Sequence, residues 1–275
     1  MPDFAEVAAG VYVLRYPVLD VNATLVVGDG AALLVDTLST EAQAEELAEA
    51  VRRVTPHPWT VVNTHHHFDH TFGNAVFARQ PGCAIWGHEE AAALLRERAQ
   101  ELRREACAAF ASEAPGFADQ VAAVTVVPPD RTVHLEATLD IGGRAVVLRH
   151  LGRGHTNNDL IVQVPDADLI VAGDLVEESG PPGFEDSYPL RWPEAVAALL
   201  ALTGPDTIVV PGHGAVVDRD FVARQHGDLT ALAWLIREED IFGSPPEKVA
   251  RHAPFGYEAA LVAVRRGYAE LTGRV

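Results

Sequence analysis

The chain has 275 residues, is 48% hydrophobic and carries a formal net charge of −18 at pH 7, enough material for one large globular domain with a sizeable core. No stretch approaches the roughly 20 apolar residues that span a bilayer, and so acidic a chain repels phosphate backbones. Neither membrane nor nucleic acid is therefore expected as a partner. The first residues, MPDFAE, include acids and no basic run, so no secretory leader is expected and the cytoplasm is the default location.

In chain order, the runs at residues 11–14 (VYVL), 23–27 (ATLVV) and 32–35 (ALLV) are spaced as a strand meander, with Gly28-Asp29-Gly30 as a hairpin turn. Residues 40–54 place Ala44, Leu47, Ala48 and Val51 on one face at helical spacing. A short buried strand, residues 59–62 (WTVV), runs into Asn63-Thr64-His65-His66-His67-Phe68-Asp69-His70, and residues 73–78 read as helix. His65, His67, Asp69 and His70 thus lie on one strand-to-helix loop, offering imidazole nitrogen and carboxylate oxygen, the donors that suit Zn²⁺ and similar divalent ions. Histidine-rich tracts that bind metal loosely lie in low-complexity sequence; this one is bracketed by structure. Loops at the carboxyl ends of strands are where open α/β folds put their chemistry.

Residues 89–110 predict one long helix, with Pro115-Gly116 and Pro128-Pro129-Asp130 beyond it. Lying between the first donor loop and the next, this stretch is read either as a lid over the site or as an outer packing helix. Cys83 and Cys107 are far apart, with no cysteine or histidine at metal spacing beside them, and read as small buried hydrophobes. Three further donors each end an apolar run next to glycine: His155 in GRGHT, Asp174 after LIVAG and His213 in PGHG. Glycine there lets the backbone turn sharply and approach a ligand closely. Residues 177–193, irregular and leaving Asp174, are the first candidate for shaping a substrate pocket. Residues 219–239 and 257–271 read as amphipathic helices, either covering the sheet or mediating a homodimer.

With these residues in hand, the chain resembles the metallo-β-lactamase superfamily of binuclear metallohydrolases. His65-x-His67-x-Asp69-His70 matches its signature, with His155, Asp174 and His213 in the Gly-His-Thr, Gly-Asp and Pro-Gly-His-Gly elements, and the agreement runs to about Val217. The resemblance implies a single α/β domain folded as a four-layer αβ/βα sandwich of two mixed sheets with helices outside. Residues 89–130 would be a helical insertion and residues 219–275 a helical C-terminal segment. It implies that His65, His67 and His155 hold one metal, that Asp69, His70 and His213 hold a second, and that Asp174 bridges. The ions would be Zn²⁺, with iron and manganese as the other ions such donors accept. Asp36, ending a strand, is either a partner that orients a ligand histidine or a turn cap. His66 is expected to point away from the metals, and His88 to cap or lie on the surface. His57, His134, His150, His226 and His252 fall outside the motifs and read as surface or packing residues.

The chemistry expected is hydrolysis of a small molecule. Two ions a few ångströms apart lower the pKa of a shared water toward about 7, so a metal-bridging hydroxide could attack an ester, thioester, lactone or lactam. Asp69 would orient that hydroxide and shuttle its proton. No Gly-x-Ser-x-Gly elbow is present. β-Lactamases of this superfamily tend to carry cysteine or serine where Asp174 stands, which weakens a β-lactamase reading without removing it. A mononuclear iron dioxygenase of the persulfide type uses a similar scaffold, and a non-catalytic metal-binding protein is the third reading; the intact donor set argues against both.

Overall fold

The computed structural model describes residues 3–274; Met1, Pro2 and Val275, which the single-domain expectation takes in, lie outside the described residues. The strands are β1 (Ala5–Ala8), β2 (Val11–Tyr16), β3 (Val21–Val27), β4 (Ala32–Val35), β5 (Trp59–Val62), β6 (Ile85–His88), β7 (Arg131–Val133), β8 (Glu136–Ile141), β9 (Arg144–Arg149), β10 (Ile161–Val164), β11 (Leu169–Glu177) and β12 (Ile208–His213). The helices are α1 (Glu41–Val54), α2 (Phe68–Thr71), α3 (Asn74–Ala78), α4 (Glu89–Glu97), α5 (Ala99–Phe110), α6 (Pro115–Ala122), α7 (Trp192–Leu200), α8 (Arg219–Ile241), α9 (Pro246–Ala250) and α10 (Tyr257–Leu271).

The expected meander is β2, β3 and β4, antiparallel throughout. Helix α1 shows why local sequence sufficed there. Ala44, Leu47, Ala48 and Val51 are buried on one face, Thr40 caps the start by accepting from the Gln43 N–H at 3.2 Å, and Arg52 and Arg53 occupy the last turn, where positive charge suits the helix dipole. The long helix expected over 89–110 is instead two, α4 and α5, broken at Arg98, and α6 follows. The strand expected to stop before Asp174 runs on through it to Glu177, its pairing with β12 shifting register at Gly173.

The strands form a mixed sheet in the order β7-β6-β5-β4-β3-β12-β11-β10-β9-β8, with β2 and β1 added beside β3. Pairing is parallel from β4 to β7 and between β11 and β12, and antiparallel elsewhere. Two sheets were expected; hydrogen bonding joins the strands into one path, because His213 at the end of β12 pairs with Val21 at the start of β3. One apolar cluster, including Val35, Val62, Leu148, Val162 and Val210, draws on strands from both sides of that joint. A second packs α1 on β3, β4 and β5, and a third packs α7, α8 and α10 on β11. Three parallel neighbours, β4, β5 and β6, thereby release their carboxyl ends toward one edge, the usual place for a ligand crevice. No helix among the described residues is long and apolar enough to cross a membrane.

Candidate metal centre

The loop after β5 is held from beneath. The Asn63 side-chain amide donates to the His70 carbonyl at 3.1 Å and to Asn74 Oδ1 at 3.0 Å, and the Thr37 N–H donates to the same His70 carbonyl at 2.9 Å. Asp36, whose backbone adopts φ +65°, accepts from the Thr64 N–H, the Thr64 hydroxyl and His70 Nδ1, each at 2.8 Å. Of the two readings of Asp36, the geometry therefore shows a carboxylate that orients a histidine.

Each of the five histidines expected as ligands presents one nitrogen to the protein and the other to a common centre. His70 Nδ1 faces Asp36, His155 Nδ1 faces the Gly183 carbonyl at 3.1 Å, His213 Nδ1 faces the Leu19 carbonyl at 2.7 Å and His67 Nε2 faces Asp186 at 3.1 Å. These partners only accept, so the outward nitrogen carries the proton. For His65 the reasoning is indirect. The Thr64 hydroxyl gives its one proton to Asp36, so at 3.0 Å it accepts from His65 Nδ1. The five inner nitrogens face one another and the carboxylates, and two of them, His155 Nε2 and His67 Nδ1, stand at hydrogen-bond distance, 2.8 Å.

At the centre is the Asp174 carboxylate. Its Oδ2 lies 3.6 Å from His65 Nε2, 3.4 Å from His155 Nε2 and 3.4 Å from His213 Nε2, and its Oδ1 lies 3.2 Å from His70 Nε2. Asp69 Oδ2 lies 3.3 Å from His213 Nε2 and 3.7 Å from His70 Nε2. Two groups follow in which donor atoms lie within 4.8 Å of one another: His65, His67, His155 and Asp174, and Asp69, His70 and His213. All seven candidates are brought together. His65 Nε2 is buried without any hydrogen-bond partner, and Asp174 Oδ1, buried too, has only its ion-pair contact with His70, a costly state for polar atoms that a cation would relieve. Backbone makes this approach feasible: a Cβ on Gly212 would fall 1.8 Å from Asp174 Oδ1, and Gly173 sits at φ +54° against Thr64.

The field at the centre asks for positive charge. Burial works against the His70 imidazolium, yet Asp174, Asp69 and Asp36 hold its pKa well above the ordinary value; His213 is raised by Asp174 and Asp69 in the same way. His65, where burial dominates, is held well below the ordinary value, and burial lowers His155 to about 4. Burial disfavours the Asp69 carboxylate, but His70 and His213 bring it down to about 2. A site whose carboxylates draw protons onto imidazoles is one where divalent ions can stand in their place.

Several neighbours escaped the sequence reading. Asp186, in the loop 177–193, accepts from His67 and lies 3.4 Å from His66 Nε2, so His66, expected to point away, forms with His67 and Asp186 a further group of donor atoms within 4.8 Å of one another. No motif marked Asp186; only its place in the loop proposed to shape the pocket did. That loop also carries the Gly183 carbonyl behind His155, and Glu177, which accepts from the Gly183 N–H at 3.2 Å and is raised to about 8 by burial and by Asp174. His88 caps α4 as expected but is buried, not on the surface. Cys83 and Cys107 are free thiols, half-buried against apolar clusters rather than fully inside. Helices α4 to α6 pack on α2 through Phe72, Leu95, Ala106 and Val121, and the Phe110 ring lies 5.8 Å from that of Phe68, the residue between His67 and Asp69.

The chain is similar to several known proteins. A protein named metallo-beta-lactamase type 2 from Bacillus cereus is 31% identical over 84 residues, 30% of this chain and 33% of that protein. Its namesake from Bacillus sp. (strain 170) is 24% identical over 195 residues, 68% of this chain and 64% of that protein, so the chain matches less than two thirds of the length of either. Among solved structures, a metallo-beta-lactamase from Pontibacter korlensis superposes with a TM-score of 0.65 at 22% identity, over 84% of this chain and 99% of that one. A double mutant of the sec-alkyl sulfatase PisA1 superposes with a TM-score of 0.81 at 17% identity, over 100% of this chain and 51% of that one. The family model described as the metallo-beta-lactamase superfamily matches residues 16–213, a span that opens on β2 and closes on the last of the seven donors, and the chain belongs to that superfamily.

Proposed function

We propose that the protein is a binuclear metal-dependent hydrolase of a small ester, thioester, lactone or lactam, with zinc as its metal. His65, His67 and His155 would hold one ion, Asp69, His70 and His213 the other, and Asp174 both. The observation that carries this reading is the set of five imidazoles turned inward around the Asp174 carboxylate, with His65 Nε2 buried and unpartnered. Ions bound there would lower the pKa of water toward about 7 and polarise a carbonyl oxygen.

The chain's own residues supply the rest. The protein acceptors behind the five imidazoles fix their tautomers, so no ring has to flip to present its donor. Asp69 stays ionised, orients the attacking water and passes its proton to the leaving group. The loop 177–193, anchored through Gly183 and Asp186, forms a wall of the substrate pocket. In the same reading the chain is one domain, a four-layer αβ/βα sandwich with residues 89–130 inserted and residues 219–275 appended, supported by the three apolar clusters stacked between helices and strands.

Elemental analysis of the purified chain together with turnover on a panel of esters, thioesters, lactones and β-lactams tests the proposal. The names of the relatives keep the β-lactam in the panel, and the sulfatase neighbour adds a secondary alkyl sulfate. Two zinc ions per chain and turnover of a panel member are expected. A single iron, or stoichiometric metal with no hydrolysis of any member, would overturn it.

A further inference from the structure

Away from the metal centre, two cavities of about 340 and 430 Å³ share the side chains of Arg153 and Arg191; the second also takes in Arg237 and Glu270. In a chain with net charge −18, three guanidinium groups facing two carboxylates on one concavity run against the average. Glu194 and Glu270 are the acids that face them. Glu194 lies 3.4 Å from exposed Arg191, and Glu270, which accepts from the Leu190 N–H at 2.9 Å, is 4.0 Å from Arg191 and also interacts electrostatically with Arg237 and Arg266. Arg237 donates to the Leu190 carbonyl at 2.8 Å and has no ion pair among the described residues. Arg153 has none among the described residues either; its guanidinium carbon lies over the Tyr188 ring, 4.9 Å from its centre, a contact that leaves its N–H donors free of the ring's edge.

We propose that this concavity binds a small ligand bearing two or more negative charges, of phosphate or carboxylate type, between Arg153, Arg191 and Arg237. A small anion fits better than a nucleic acid or an anionic membrane. Within a screening length of about 8–10 Å it meets the local arginines, whereas a long polyanion meets the acidic surface beyond them. The site touches the metal centre through covalent neighbours. Arg153 is two residues from His155, the Tyr188 N–H donates to the Gly154 carbonyl at 2.8 Å, and Asp186, which holds His67, precedes Tyr188 by two residues.

Calorimetric titration of the metal-loaded full chain with inorganic phosphate, and separately with succinate, tests the site. One saturable equivalent is expected for at least one of them, and the tighter of the two names the ligand's type. Arg153→Ala and Arg191→Ala, both at exposed positions, should each weaken it about ten- to a hundredfold with metal content and circular dichroism unchanged; Arg153→Lys, which keeps the charge but not the fork, should fall between. No binding of either anion up to about 10 mM, an affinity too weak to matter, would overturn the proposal. So would binding that survives both alanine substitutions, since that anion would be held at the metal centre.

Discussion

At the scale of single residues, the carboxylates behind the imidazoles make the sharpest case. Asp186 is 43% exposed on its side chain, so the fold does not lean on it, but its acceptor is what directs His67 Nδ1 inward. Asp186→Asn can still contact His67 yet no longer fixes its tautomer. Metal affinity measured by chelator competition should fall about ten- to a hundredfold, the usual cost of losing such a partner, with secondary structure intact. Unchanged affinity would mean that His67 is oriented by something else. His88 makes a different argument, about pH. Its Nδ1 accepts from the Glu90 N–H at 3.2 Å and its Nε2–H donates to the His134 carbonyl at 3.0 Å, so only the neutral ring fits. Burial, helped by His150, lowers its pKa to about 4. The unfolded chain then binds the extra proton first. Stability from this residue is present above about pH 6.5 and is lost as pH falls toward 4, by roughly 1–3 kcal/mol. Urea unfolding across that range should show the loss, and His88→Asn, which keeps a capping oxygen, should flatten it.

At the scale of elements, the legible parts were those whose cause is local. The hairpin at residues 28–30, α1 and the β5 loop each carry their own punctuation, and the donors follow apolar runs that periodicity reveals, although Asp174 lies inside β11 rather than at its end. What stayed hidden depends on distant contacts. Strands β1, β6, β7 and β8 are short or half-exposed; β6 exists because β5 offers it a parallel edge, and β7 because β6 does. Arg98 divides the expected long helix with no proline or glycine to announce it, and Asp186 meets His67 across 119 residues of chain. The close approach of β12 to β11 was signalled only as a glycine beside histidine, yet it permits a direct test. Gly212→Ala is conformationally mild, but its methyl would need the space held by Asp174 Oδ1, and that carboxylate touches both donor groups. Stoichiometric metal should drop from both sites while far-ultraviolet circular dichroism is retained. Full metal content in Gly212→Ala would show that Asp174 can move without consequence, contrary to its central place.

For the whole molecule, the donor set lies across the joint that makes the sheet continuous. His65, His67, Asp69 and His70 come from the β5 side, His155 and Asp174 from the β9-to-β11 side, and His213 is itself the residue paired with Val21 where the two meet. Ions gripped by all seven would clamp both sides together; without them, two carboxylates and five imidazoles are left at close quarters in a buried space. Anything that binds the folded state alone stabilises it by RT ln(1 + [L]/Kd), about 4 kcal/mol when free metal stands a thousandfold above Kd. For a domain of this size that is a shift of about 10 °C in Tm. Thermal unfolding with and without chelator should show a drop of that order, and hydrogen exchange should speed up around residues 63–72, 151–159 and 212–214 while α1 and β4 stay protected, because their core owes nothing to the centre. A chain that binds two equivalents of metal and keeps its Tm on chelation would mean that both sides hold their places unaided, and that the joint at Val21 and His213, with the apolar cluster across it, is sufficient.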